Sequence, residues 1–237
     1  MARIITFASG KGGTGKTVLV ANVGAAMAKL GKKVAIIDAD IAMANLGLIT
    51  GLGEHKTTLH EVLAGKAALS NAIYDGPDGL KILPSGISVD DVKRADLDGL
   101  KKVVHELSRS FEILLIDSPS GMDRDAITAL KIAHELVIMV TPDIASLSNA
   151  HKLKTIAERL GVNPVGLIIT RTTGKELDLS KEEISSSLEL PVLGIIPEDE
   201  AVRRSLAFGE YVVNSSPKSP AAIELKKLAA TMAGRKI

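Results

Sequence analysis

The chain has 237 residues, 46% hydrophobic, 24% charged and 2% aromatic, and its 29 basic and 28 acidic side chains leave a net charge of +1. That is enough apolar material for one large core and too much for disorder, and the balanced charge argues against a nucleic-acid surface or an acidic tail. The absence of cysteine excludes disulfides, thiolate metal sites, iron–sulfur clusters and a cysteine nucleophile, and the absence of tryptophan leaves little for a base-stacking surface.

Taken in chain order, short Val/Ile/Leu runs alternate with helical stretches. Strands are predicted at Arg3–Ala8, Val34–Asp38, Lys81–Leu83, Ile113–Asp117, Leu136–Val140, Val165–Thr170 and Val192–Ile196. They lack polar alternation, as strands covered on both faces do. Helices are predicted at Thr17–Leu30, Leu59–Ala64, Leu97–Ser110, Asp125–His134, Ser146–Leu160, Ser180–Leu188 and Pro220–Ala233, with Ser146 and Ser180 as N-caps and Gly31 and Gly161 just past two C-termini. The alternation implies an α/β fold, a mostly parallel central sheet with helices on both faces. With no linker or repeat, residues 1–237 read as one domain. The longest apolar run, Leu136–Val140, is five residues and cannot span a bilayer. The N-terminus lacks a signal-peptide h-region. The expected location is therefore cytoplasmic.

Gly10-Lys11-Gly12-Gly13-Thr14-Gly15-Lys16-Thr17 fits G-x-x-x-x-G-K-[ST] between a predicted strand and a predicted helix, the context that motif requires. Its glycines let backbone N–H groups turn inward as an anion nest at a positive helix end. Lys16 is then expected against the β- and γ-phosphates of a nucleotide, and the Thr17 hydroxyl on Mg²⁺. Lys11, on the rim, is badly placed to fold back onto its own γ-phosphate but suited to reach a phosphate held by a facing subunit. Asp38 and Asp40 end the second strand on one side of the chain, and Ile113–Asp117 has four apolar residues followed by a carboxylate. Three acids on the carboxyl edge beside a phosphate loop point to metal binding or its water shell, and the turn Ser118-Pro119-Ser120-Gly121 to a γ-phosphate response. His55, His60, His105, His134 and His151 show no metal spacing and are expected at the surface or in caps.

At Lys11–Thr17 the sequence resembles the deviant Walker-A ATPases of the MinD/ParA group. Asp38-Ala39-Asp40-Ile41-Ala42-Met43-Ala44-Asn45-Leu46 is similar to the MinD switch I pattern, Asp117–Gly121 to its switch II, and Ile196-Pro197-Glu198-Asp199 to a late segment. The likeness runs from about Met1 to about Pro220 and is greatest to archaeal MinD homologues. It implies a P-loop NTPase domain, Mg²⁺ and ATP/ADP as cofactors, slow ATP hydrolysis, and a homodimer closed around two ATP molecules that hydrolysis releases, used in positioning the division site or another cellular structure. By the same resemblance, Lys11 reaches across the dimer, Lys16 and the loop amides from Gly10 to Thr17 hold phosphates, Asp40 positions the attacking water, and Asp38 and Asp117 serve the metal's outer shell. Val18 stands where a second Thr is frequent, near the α-phosphate. Thr170 and Arg171 stand where Asn-Arg is frequent, and with Pro197 and Glu198 belong to the base site. Asn149 stands where many MinD sequences carry Asp.

An unidentified protein partner is implied and no specific nucleic acid. In the tail, Leu225, Leu228, Ala229 and Met232 form a stripe without aromatics, expected to pack on the domain. Membrane attachment is thus at most weak and peripheral, through Lys226, Lys227, Arg235 and Lys236. Competing readings are a metabolic ATP-dependent ligase or kinase, a non-hydrolysing nucleotide-binding adaptor, and a ParA-like DNA or cargo partitioning ATPase.

Overall fold

Eight strands form one sheet: β1 (Arg3–Ala8), β2 (Val34–Asp38), β3 (Tyr74–Asp75), β4 (Lys81–Leu83), β5 (Ile113–Asp117), β6 (Glu135–Val140), β7 (Asn163–Thr172) and β8 (Val192–Pro197). Their spatial order is β3-β4-β2-β5-β1-β6-β7-β8. The computed structural model describes residues 2–41, 43–53, 57–86 and 97–234. Every pairing is parallel except β3 with β4. The helices are α1 (Lys16–Lys29), α2 (Leu46–Ile49), α3 (Leu59–Leu63), α4 (Leu97–Leu107), α5 (Arg124–Ile132), α6 (Ile144–Arg159), α7 (Lys181–Leu188), α8 (Glu200–Ala207), α9 (Val212–Ser215) and α10 (Pro220–Met232).

Strand alternation divides the core into two layers. Ile113 and Leu115 of β5, with Val137 and Met139 of β6, face α1 and α10. On the other face, Leu114 and Ile116 of β5 pack with α4 and α5. Leu136, Ile138 and Val140 of β6 pack there with α6 and α7. Each fully buried Leu or Ile contributes roughly 1.5–3 kcal/mol relative to exposure, so this double-sided burial accounts for the continuous apolar spelling of the central strands.

All seven predicted strands and all seven predicted helices are present, four strands with the predicted ends and the other elements with ends shifted by at most three residues. The additional elements are short: β3, α2, α8 and α9. Ser180 caps α7 through its hydroxyl, which accepts from Glu183 N–H. Ser146, by contrast, lies inside α6. The N-cap there is Asp143, whose carboxylate accepts from Ser146 N–H at 2.8 Å, a stronger acceptor one turn earlier. Gly31 and Gly161 take the expected positive φ.

The stripe Leu225, Leu228, Ala229 and Met232 is buried against α1 and β8. It faces protein, as expected of a packing helix rather than an interfacial one. Arg235 and Lys236 lie outside the described residues. No helix among the described residues is long and apolar enough to cross a membrane.

Beyond α2 the chain meets the turn that follows α8, backbone to backbone. A Cβ on Gly51 would lie 2.5 Å from the Gly209 carbonyl oxygen, and both glycines have positive φ. Gly53 has the same φ of 68° but open space around it. Gly51→Ala is therefore expected to lower the unfolding free energy by about 2–4 kcal/mol, from a backbone clash added to left-handed strain. Gly53→Ala should cost only the strain, about 1 kcal/mol. Urea denaturation of both variants checks this, and equal losses would remove the clash from the explanation.

Candidate functional site

The turn from β1 into α1 places residues 9–15 at the carboxyl edge of the sheet. Gly13 and Gly15 adopt φ of 79° and 78°, a region open to glycine at little cost. Gly10 packs on α6 so closely that a Cβ would sit 2.6 Å from that of Asn149. No side chain caps α1, so its positive end faces the adjoining cleft, ready for an anion.

Lys16 and Asp117 form a buried ion pair at 2.9 Å, with 5% and 1% of their side chains exposed. Asp38 lies beside Asp117 in register. Its Oδ1 accepts from Asp40 N–H at 3.1 Å and its Oδ2 from Leu46 N–H at 3.2 Å, which ties the start of α2 back to β2. Burial, then the adjacent Asp117 carboxylate, pushes the Asp38 carboxyl up to about 8. Asp40 is half-buried, and its Oδ1 accepts from Met43 N–H at 3.0 Å. Burial raises its pKa as well. Asn45 donates to the Met43 carbonyl at 2.7 Å. On the other wall, Ser118 Oγ donates to Phe7 O and Gly121 N–H to Ser9 O, which fixes the turn after β5 to β1.

Three cavities border the loop, one of about 380 Å³ on the side of Lys11 and Asp143 and two on the side of α1. A cleft of about 480 Å³ is lined by Gly12–Val18, Asp40, Asn45, Pro119 and Ser120, among others. An apolar slot of about 260 Å³ adjoins it, bounded by Gly13–Gly15, Val18, Thr170, Arg171, Pro197 and Glu198. Arg171 carries a left-handed φ of 58°, a strained conformation for a residue with a Cβ. It is held there by bonds from Nη1 to Gly13 O at 3.0 Å and from Nε to Glu198 Oε2 at 2.9 Å. Glu198 also accepts from Arg203 at 2.9 Å, and Arg171 first, then Arg203, hold its carboxyl below the usual range. The Thr170 hydroxyl donates to Thr14 O at 2.8 Å and lies 3.2 Å from Val140 O.

Lys11 lies apart from the cleft and the slot and lines the third cavity. Its Nζ pairs with both Asp143 oxygens, at 3.1 and 2.8 Å. Partial burial opposes ionisation of Asp143, but Lys11 and the Thr141 hydroxyl hold its carboxyl below the usual range. Both partners are more than a third exposed on their side chains or close to it, so the pair is worth about 0–1 kcal/mol.

The oxygen donors at and behind the cleft include the Thr17 hydroxyl and the carboxylates of Asp40, Asp123 and Asp125 in its lining, with Asp38 and Asp117 buried next to it. Asp117 Oδ2 is buried with no partner, an unmet acceptor of the kind a hard cation or its water satisfies. Among the described residues no cluster of three or more His, Asp or Glu is arranged to hold a metal alone. The set fits Mg²⁺ arriving with phosphate oxygens. His60 departs from expectation: it is buried, and its Nδ1 accepts from Gly86 N–H at 2.8 Å. His55 lies outside the described residues, as does Ala42 of the switch I pattern.

Sequence reasoning did not single out Asp143, Arg203 or the α8 side chains Val202 and Leu206 that wall the slot. Asp143 lies three residues past the end of β6, whereas Asp38 and Asp117 are the last residues of their strands, so its signal in the sequence is weaker. The α8 residues follow a helical period that is too short to stand out.

Residues 5–213 match the family described as the CobQ/CobB/MinD/ParA nucleotide binding domain. An ATP-binding protein of Methanocaldococcus jannaschii is 45% identical over 236 residues, which cover 100% of this chain and 89% of that one. The cell division ATPase MinD of Pyrococcus furiosus superposes with a TM-score of 0.95 at 35% identity, covering 99% of each chain. The septum site-determining protein MinD of Pyrococcus horikoshii, complexed with Mg-ADP, gives 0.94 at 35% identity, covering 98% of this chain and 96% of that one.

Asp38 gives the site a signed pH dependence. Its carboxyl rises from 3.8 to about 8 in the folded chain, so between those values the fold holds a proton that the unfolded chain has lost. Its contribution to stability therefore becomes progressively less favourable as pH rises from about 4 to about 8, and is absent below that window. In the nucleotide-free protein with chelator, the urea midpoint is expected to fall across this range. Asp38→Asn should flatten the fall, and an unchanged slope in the variant would assign the dependence to other groups.

Proposed function

The chain belongs to the CobQ/CobB/MinD/ParA nucleotide-binding family, and from that premise we propose that this P-loop ATPase is an ATP-driven dimerisation switch of the MinD kind, dependent on Mg²⁺. The observation that carries the reading is the convergence of Lys16, Thr17 and Asp40 on one cleft that continues into an apolar slot, with Asp117 paired to Lys16 behind the wall of the cleft and a second loop lysine outside both. A nucleoside triphosphate matches that shape: phosphates on the loop amides and Lys16, base in the slot.

Each residue has a role set by its surroundings. Lys16 exchanges the Asp117 carboxylate for phosphate oxygens, so a buried cation keeps an anionic partner throughout. Thr17 and, through its water shell, Asp38 and Asp117 would hold Mg²⁺, whose charge would offset that of the β- and γ-phosphates. Asp40 orients the attacking water from the end of β2. Its hydrogen bond to Met43 N–H and the Asp38 bond to Leu46 N–H make switch I a segment whose shape follows its acids.

Lys11 supplies the link to dimerisation. A facing subunit's γ-phosphate would draw it from Asp143, against a loss of about 0–1 kcal/mol. Moving an equilibrium from about 1:99 to 99:1 takes about 5.5 kcal/mol of differential binding, so the Asp143 contact is too weak to prevent closure. The relatives with printed roles in cell division support a positioning function on a cellular structure, with a protein partner still to be identified.

Light scattering with ADP and with a non-hydrolysable ATP analogue tests the switch: a monomer with the first and a dimer with the second are expected. Lys16→Ala should abolish nucleotide binding. Asp40→Ala should bind ATP, remain dimeric and lose at least about a hundredfold in turnover. A monomeric Asp40→Ala protein in saturating Mg·ATP contradicts the proposal.

A further inference from the structure

Strand β7 ends in a bulge. Thr170 registers with Ile196 of β8 and Thr172 with Pro197, so Arg171 is the extra residue between two pairs, and its φ is 58°. Adjacent side chains of a regular strand point to opposite faces, and a bulge re-aims one of them. Here both reach the phosphate loop: Thr170 Oγ1 donates to Thr14 O at 2.8 Å and Arg171 Nη1 to Gly13 O at 3.0 Å. Left-handed strain in a residue with a Cβ persists where the surroundings hold it. Glu198 does so from the other side, accepting from Arg171 Nε and from Arg203, each at 2.9 Å.

The two bonds fall on consecutive peptide units of the loop. The peptide bonds of the described residues are trans, and in a trans peptide the carbonyl and the following N–H point in opposite directions. A Gly13 carbonyl held toward β7 therefore turns the Thr14 N–H away from it, and a Thr14 carbonyl held likewise turns the Gly15 N–H. Ser9 Oγ, which donates to Lys11 O at 2.9 Å, does the same for the Gly12 N–H. Packing does not supply this order. A Cβ on Gly12, Gly13 or Gly15 would meet nothing within 4 Å, and glycine itself allows many backbone orientations.

We propose that Thr170 and Arg171 are positioning residues for the phosphate nest, holding two of its peptides in the orientation that binds phosphate before any ligand arrives. This rests on the nucleotide reading proposed above. A loop that samples other orientations binds more weakly in proportion to the fraction of time it is competent. That fraction applies equally to every ligand that uses the nest, with or without a base. Affinity for a phosphate ligand that has no base thus separates this role from contact with the base.

The test is calorimetric titration of the full chain with ADP and with inorganic pyrophosphate, both in Mg²⁺. The parent should bind both, pyrophosphate at millimolar concentration or below. Thr170→Val keeps the shape of the side chain without its donor and should weaken the two ligands by the same factor, about tenfold. Thr170 carries no charge, so such a loss is not one of electrostatic attraction. Thr170→Ser retains the donor and should stay within about threefold of the parent. Arg171→Met should act as Thr170→Val does, and because Arg171 is exposed it serves as the test should Thr170→Val not fold. Pyrophosphate affinity within about threefold of the parent's in these two donor-lacking variants overturns the proposal, as does a failure of Thr170→Ser to restore what Thr170→Val loses. A parent that binds ADP but not pyrophosphate also overturns it, since the nest is then not formed in advance. Binding of neither ligand overturns the nucleotide reading itself, a distinct outcome.

Discussion

A lysine buried among carboxylates is the constraint on which the site depends. Lys16 is 5% exposed at the first turn of α1, and its charge must be answered inside the protein. In the free chain the answer is Asp117 at the end of β5, reached across 101 residues of sequence. That pair ties the first turn of α1 to the end of β5, and burial together with the adjacent Asp117 carboxylate keeps Asp38 from ionising readily. The site is already organised around a charge that phosphate can take over, so little of it has to be built when a ligand enters.

Sheet order explains why so many groups meet there. Parallel strands end at the same edge, and β1 lies in the middle, between β5 and β6. The loop after β1 therefore has Asp117 on one side and Asp143 on the other, and β7 and β8 bring Thr170, Arg171, Pro197 and Glu198 one and two strands further along. The antiparallel exception, β3, lies at the outer margin and takes no part in the site.

Much of this was legible because it is written in local chemistry. Ile113–Asp117 can hardly be anything but a buried strand with an acid at its tip, and the glycine and lysine spelling from Gly10 to Thr17 has few other uses. The tail helix was readable because Leu225, Leu228, Ala229 and Met232 keep one period. Other features depend on distance in sequence. Nothing near Lys11 indicates Asp143, since adjacency of β1 and β6 creates that pair. The direction of the Thr170 hydroxyl depends on Thr14 O, 156 residues away. The two-residue strand β3 and the four-residue helices α2 and α9 are too short for any periodicity to register. Ser146 was a reasonable cap by residue type, and Asp143 displaces it by reaching the same helix end with a full charge.

Neither Gly51 nor Gly209 has any chemistry to offer a nucleotide, yet their backbones touch where the stretch following Asp40 meets the helix that walls the slot. Tolerance at these two sites is governed by clearance alone. A methyl group inserted there would reach both ends of the ligand at once, through the path of the chain after β2 and through the seating of α8. In a genetic screen such a change would be scored with true active-site lesions, although it lies outside every cavity the nucleotide could fill.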